Sequence, residues 1–290
     1  MDKRTQLLRV VLTALAVGLV GFFAFWVILM PFFSGHVILP QALNLGLIKI
    51  QFYGMIIAVA VFSGYGLVLR RKEQHGIASD DGEILFFITI IWGFLGARVY
   101  HILSELGYYL DYPMQTFAVW NGGLSIYGAA LGGIIGLLIY TRITKKYSMF
   151  QLLDWMVPAV VLGQIIGRFG NFMNYEIYGY PTELPWKMYV PAQFRIPPFE
   201  INQFFHPLFL YEAAGSAMIF VLLLSLKLRR GALFLLWLFL YNVMRFFLEF
   251  LRVGSVTYGT VRINAIVSLI LALAAIFIWY RIKPDTNNAL

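Results

Sequence analysis

Apolar runs of membrane-crossing length recur along the chain, separated by short polar stretches marked by glycine, proline or basic residues. After a first run ending near Phe33, they fall near 50–70, 84–103, 123–141, 151–173, 207–226, 231–251 and 262–281. A helix of about 20 apolar residues crosses the hydrocarbon core of a bilayer. The pattern therefore predicts an all-α, polytopic integral membrane helical bundle of eight helices. The first residues, MDKRTQLLRV, lead into an apolar run longer than a signal peptide's and with no small-x-small cleavage site after it, so it is expected to stay as an anchor.

Charge sets the expected topology. The connections Arg70–Lys72, Arg142–Lys146 and Lys227–Arg230 and the tail Arg281–Lys283 are basic, which places them and both termini in the cytoplasm. The other connections, near 34–49, 104–122, 174–206 and 252–261, are then extracytoplasmic, and they are rich in Pro, Gly, Tyr and Trp. The expected organisation is an anchor helix with its outer connection (1–47), a multi-helix domain (48–283) with an extracytoplasmic insert at 174–206, and a cytoplasmic tail (284–290). Prolines at 181, 185, 191, 197 and 198 disfavour a regular helix in the insert, and its aromatics suit the membrane interface.

Composition removes whole classes of function. At 60% hydrophobic and 12% charged over 290 residues, the chain has too little polar surface for a soluble globule. The net charge of +8 is accounted for by topology, and nucleic acid is not an expected partner. With no cysteine there is no disulfide, thiolate metal site or cysteine nucleophile, so any thiol in its chemistry comes from a substrate. No internal repeat is evident, which disfavours the inverted-repeat transporters.

The exceptional stretch is GQIIGRFGNFMNYEIYG, Gly163 to Gly179, which sets polar chemistry in an apolar span. At about 100° per residue, Gly163, Gly167 and Gly170 share a narrow face suited to close packing, and Gln164, Arg168, Asn171 and Tyr175 share the face beside it. A guanidinium at membrane depth needs an anion. In LYNVMRFFLEFLR, Tyr241, Arg245, Glu249 and Arg252 recur on one helix face, as a neutralised staple or as part of a site with positive charge to spare. Arg98, after Gly93 and Gly96, either snorkels outward or turns to a cavity. Tyr127 stands beside the close-packing stripe Gly128, Gly132, Gly136, as an interfacial anchor or a site residue. His206-Pro207 opens a helix that carries Tyr211 and Glu212, and Tyr53-Gly54 lies near the start of a span. Arginines with asparagines and tyrosines at the outer leaflet match a phosphate, so the expected ligand is an anionic lipid head group.

The run GRFGNFMNYEIYG closely resembles the signature of bacterial prolipoprotein diacylglyceryl transferases, with Gly167, Arg168, Gly170, Asn171, Phe172, Asn174, Glu176 and Gly179 matching it. The resemblance extends over about residues 48 to 253, through Tyr53, Arg98, the Gly-Gly-x-x-x-Tyr-Gly around Tyr127, Asp154 with Pro158, and the Tyr241 to Arg252 helix. It implies a seven-helix core, here with one extra N-terminal transmembrane helix, in the bacterial cytoplasmic (inner) membrane with the active site on the outer side. It implies transfer of the diacylglyceryl group of phosphatidylglycerol to the lipobox cysteine of a prolipoprotein signal peptide, with release of glycerol 1-phosphate. Arg168 would hold the lipid phosphate and Arg245 would serve the reacting centre. Asn171, Asn174, Glu176, Gly179, Tyr53, Arg98, Glu212, Tyr241, Glu249 and Arg252 would shape the pocket. No metal or cofactor is called for, and membrane lipids are the surroundings. The alternatives are an anionic-lipid transporter and a non-catalytic lipid-binding paralogue. The chain departs from the family at Tyr127, where many members have histidine, at Leu208 and Phe209, where two polar residues are usual, and at Asn264-Ala265, where Gly-Gln is common.

Overall fold

The computed structural model describes residue 23, residues 26–46 and residues 49–282. Seven helices within them are long and apolar enough to cross a membrane: α1 (Phe52–Arg71), α2 (Ser79–Ser104), α3 (Ile126–Thr144), α4 (Met149–Met173), α5 (Leu208–Ser225), α6 (Ala232–Leu251) and α7 (Ile263–Arg281). The protein is all-α and polytopic, as the hydropathy pattern requires. The anchor helix expected before residue 34 lies mostly outside the described residues, as does the tail 284–290, while residues 26–33 are helical.

The helix limits follow local chemistry. α2 begins five residues before its apolar run because Asp80 and Asp81 occupy its first turn, where carboxylates suit the exposed backbone N–H groups. Asp81 is buried there and accepts from Tyr147 Oη at 2.6 Å, Tyr140 Oη at 3.0 Å and Lys146 Nζ at 3.1 Å. Asp154 of α4 caps α6 from the side, since its carboxylate accepts from the backbone N–H groups of Gly231 at 2.5 Å and Phe234 at 2.8 Å. Two otherwise orphaned helix-terminal donors are satisfied in this way.

The chain divides into two compact units, each built from separate stretches. The first contains the described residues through Ile56, Gly167–Ala213 and Arg245–Ile266. The second contains Ile57–Ile166, Ala214–Met244 and Val267 onward.

Within the second unit α2 and α3 pack at backbone distance. A Cβ on Gly96 would collide with the Gly128 carbonyl, and one on Gly136 would come within 2.8 Å of the Trp92 ring, so the glycine stripe is the seam expected of it. Gly163 differs, because a Cβ there would meet nothing within 4 Å.

Within the first unit the insert is folded. Strand β1 (Met188–Tyr189) pairs antiparallel with β2 (Phe204–Phe205), Met188 opposite Phe205. Tyr178, Met188, Val190 and Phe205 are buried in one cluster with Phe33, Phe172 and Phe209. Leu208 and Phe209, the two positions that lose polar residues, are core residues, and Phe209 stacks on Phe172 at 4.5 Å. Their apolar character is explained by that packing.

Candidate active site

The signature ends α4, and through Arg168 it joins a chain of side chains on α5 and α6 within the first unit. Gly170 lets Tyr53 lie on the helix, for a Cβ at that position would be 2.7 Å from the Tyr53 ring. Two residues earlier, Arg168 Nη2 is 2.8 Å from Glu212 Oε2 of α5. The other oxygen of Glu212 pairs with Arg245 Nη1 of α6. Arg245 Nη2 in turn lies 2.9 Å from Glu249 Oε2, and Arg252 Nη1 lies 3.7 Å from the same oxygen. The five side chains form an unbroken alternation: Arg168, Glu212, Arg245, Glu249, Arg252.

Both carboxylates are fully buried. The arginines are less so: the side chains of Arg168, Arg245 and Arg252 are 18%, 14% and 22% exposed. The cations of the ladder are therefore more accessible than its carboxylates, and three guanidiniums stand against two carboxylates. A buried pair has excellent geometry or is costly, and here the carboxylates fix the planes of the arginines that an anion would meet.

Hydrogen bonds extend the ladder at each end. Arg168 Nη1 donates to Asn171 Oδ1 at 3.1 Å, and Asn171 and Asn174 both donate to Glu176 Oε1 at 3.2 Å. At the other end Asn264 Nδ2 donates to Glu249 Oε1 at 3.0 Å, so this departure from the family pattern supplies a donor to a buried carboxylate. Gly179 threads between two backbones, with its N–H donating to His206 O at 2.9 Å and its partner across a β-bridge being Arg252. A Cβ on Gly179 would stand 2.7 Å from His206 Cβ and 2.9 Å from Leu251 O, and only glycine allows that approach.

Sequence reasoning missed Arg262. Its Nη1 donates to the carbonyls of Glu249 at 2.6 Å and Arg252 at 3.0 Å, closing the C-terminal end of α6, and its Nη2 donates to Tyr180 Oη at 2.8 Å. The signal available was an arginine at the very start of the last apolar run, on the side assigned to the site. The pair formed by His206 Nδ1 with Tyr211 Oη, at 3.1 Å, and the bond from Trp186 Nε1 to the same oxygen, at 2.7 Å, were also not foreseen. Burial holds His206 below the usual histidine pKa.

Three of the sequence-derived candidates belong to the second unit. Arg98 is buried and donates to the carbonyls of Thr116 at 3.0 Å, Gly122 at 2.8 Å, Gly123 at 2.9 Å and Gln115. It organises the 104–125 connection from within. Tyr127 is half exposed in the first turn of α3 and its ring lies 6.2 Å from that of Tyr100. Tyr241 stacks on Trp237 at 6.0 Å, and Gln164 accepts from Trp237 Nε1 at 3.1 Å.

The fold and the ladder together define a polytopic membrane protein with a cationic, anion-ready cluster at the ends of its helices. A family model described as prolipoprotein diacylglyceryl transferase matches residues 40–281, and the chain belongs to that family. It is 38% identical over 288 residues to the phosphatidylglycerol--prolipoprotein diacylglyceryl transferase of Fervidobacterium nodosum, covering 97% of this chain and 96% of the relative. It is 37% identical to the enzyme of the same name from Acaryochloris marina, over 86% of this chain and 95% of that one. For Lactobacillus acidophilus the figures are 36%, 85% and 91%.

Proposed function

We propose that this chain transfers the diacylglyceryl group of phosphatidylglycerol to the thiol of the lipobox cysteine in a prolipoprotein signal peptide, as the names of its relatives indicate. The cysteine sulfur forms a bond to the glycerol carbon, the bond from that carbon to the phosphate oxygen breaks, and glycerol 1-phosphate departs with the electron pair. The cysteine proton passes to an acceptor or to solvent. The carrying observation is the ladder itself: two buried glutamates hold three arginines whose side chains keep some exposure.

Arg168 and Arg245 bind the lipid phosphate, and charge that develops on it as it leaves is stabilised by donors already in place. Glu212 and Glu249 fix those donors. Asn171, Asn174, Glu176 and Tyr53 shape the lipid side of the pocket, Gly179 and Arg252 its outer end. Tyr127 binds or orients substrate, since a neutral phenol is a weak base and a free thiol near about 8.5 needs little help. Arg98 keeps the 104–122 connection in shape, and Tyr241 completes the α6 face. The site lies on the extracytoplasmic side of the bacterial cytoplasmic membrane with both termini inside, which the basic ends of α1, α3 and α7 support.

The test uses purified full-length protein in detergent with phosphatidylglycerol and a lipobox peptide. Cysteine-dependent release of glycerol phosphate with a diacylglyceryl mass gain on the peptide is expected. Lipid binding without either product would defeat the assignment.

A further inference from the structure

Past the end of α4 the chain leaves the helix without a glycine. Tyr175 and Ile177 adopt left-handed backbone angles, φ of 52° and 56°, which L-residues and above all β-branched ones rarely take. This turn brings Glu176 back to accept from Asn171 and Asn174, and within the helix Asn171 accepts from Arg168. Strain of this kind persists only where the surroundings over-determine it.

The segment around residue 40 holds one side of this turn, and the residues before it pack on the end of α4. The Leu39 N–H donates to Tyr175 Oη at 2.7 Å, and Gln41 Nε2 donates to Asn174 O at 3.5 Å. Phe33, at 1% exposure, meets Phe172 edge-on at 5.8 Å and Phe209 at 6.2 Å, and Leu29 is buried in the same cluster. Gly35, at φ 79°, lets the intervening turn lie against Tyr189, where a Cβ would be 2.7 Å from the ring. From the insert, Phe194 closes the other side of Tyr175, stacked at 5.2 Å. The family match begins at residue 40, so Leu29, Phe33 and Leu39 stand outside it.

We propose that residues 26–39 are a positioning element of the active site: their apolar side chains seat the end of α4, and the Leu39 N–H pins Tyr175 so that the left-handed turn presents Asn171, and through it Arg168, to the lipid phosphate. The catalytic consequence rests on the transferase reading, and the conformational one does not. Tyr175 touches no reacting atom in this scheme. It acts through the turn.

The test is made on the full chain with Tyr175→Phe, Leu39→Pro and the double variant, by following transfer kinetics, thermal midpoint and amide hydrogen exchange of residues 174–177. Each single change is expected to lower kcat per folded molecule about tenfold through misplacement of Arg168. KM for the peptide should hold, and exchange in the turn should accelerate. The double variant should lose no more than either single one, because both remove the same bond. Unchanged kcat per folded molecule, or losses that multiply in the double variant, overturns the catalytic consequence. If wild-type protein forms no thioether, the transferase reading falls, and exchange still decides the rest: faster exchange in both variants upholds the pinning, unaltered exchange ends it.

Discussion

Glu212 lies fully buried on α5 with one carboxylate oxygen 2.8 Å from Arg168 Nη2 and the other against Arg245 Nη1. One side chain therefore sets the spacing of two guanidiniums that come from different helices. Replacing it as Glu212→Gln keeps the shape but leaves two cations facing each other. Breaking a buried ion pair from one side costs about 3–5 kcal/mol. A thermal melt should show a loss of that size, and inorganic phosphate, which supplies the missing negative charge, should restore part of it. A variant as stable as wild type would contradict the ladder.

The arginines and Tyr127 should separate cleanly in a transfer assay. Removal of a fixed donor to developing negative charge costs about 10²–10³ in rate. Arg168→Ala and Arg245→Ala are each expected to lose at least that much, with lipid binding also weakened. Tyr127→Phe, as an orienting residue, should lose less than about tenfold, below the range of a general base. Full activity in either arginine variant would remove it from the phosphate site.

Gly170→Ala would place a methyl group 2.7 Å from the Tyr53 ring. Overpacking of this kind costs about 1–3 kcal/mol and moves the intruded side chain. Transfer should fall at least about tenfold, since Arg168 and Asn171 flank the disturbed turn. Tyr53→Ala in the same background should recover stability without recovering full activity, which calorimetry and the transfer assay together would reveal.

Asp154 matches the family pattern yet bonds only to the start of α6 among its described partners, at 2.5 Å to Gly231 N and 2.8 Å to Phe234 N. Its role is structural. Asp154→Ala should cost about 2 kcal/mol through the lost cap, read by chemical denaturation, with kcat per folded molecule unchanged. A selective loss of kcat would place Asp154 in the chemistry instead.

His75 follows α1, and burial, then the Arg71 charge beside it, lower its pKa from 6.5 to about 4. Its ring nitrogen Nε2 is 3.2 Å from Arg71 Nη2, an arrangement that suits a neutral acceptor. Because the folded state binds the proton less readily than the unfolded state, this term is neutral to stability above about pH 6.5 and destabilises as pH falls from there to about 4. His75→Gln should flatten that part of a melting-temperature profile. An unchanged slope between pH 6.5 and 4 would discount His75.

Much of the fold was legible in the chain. All seven described spans lie within about five residues of the hydropathy runs, because a bilayer imposes one length and one polarity on whatever crosses it. The glycine stripe on α3 was read correctly as close-packing, and the structure makes Gly96 its partner, whereas Gly163 borders open space, since spacing alone does not say which neighbour approaches. The apolar departures at Leu208 and Phe209 looked like altered chemistry and are core packing.

The sequence by itself determined the solvent of this protein, the number and limits of its described spans, and the membership of Arg168, Glu212, Arg245, Glu249 and Arg252 in a polar set. Those properties depend on local composition and helical period. The pairing was decided by tertiary structure alone: that Glu212 serves two arginines, that Asn264 and Arg262 complete the end of α6, and that Leu39 holds Tyr175. Hydrogen bonds act over about 3 Å, and residues on different helices or connections reach that distance only when the packing of whole helices brings them there.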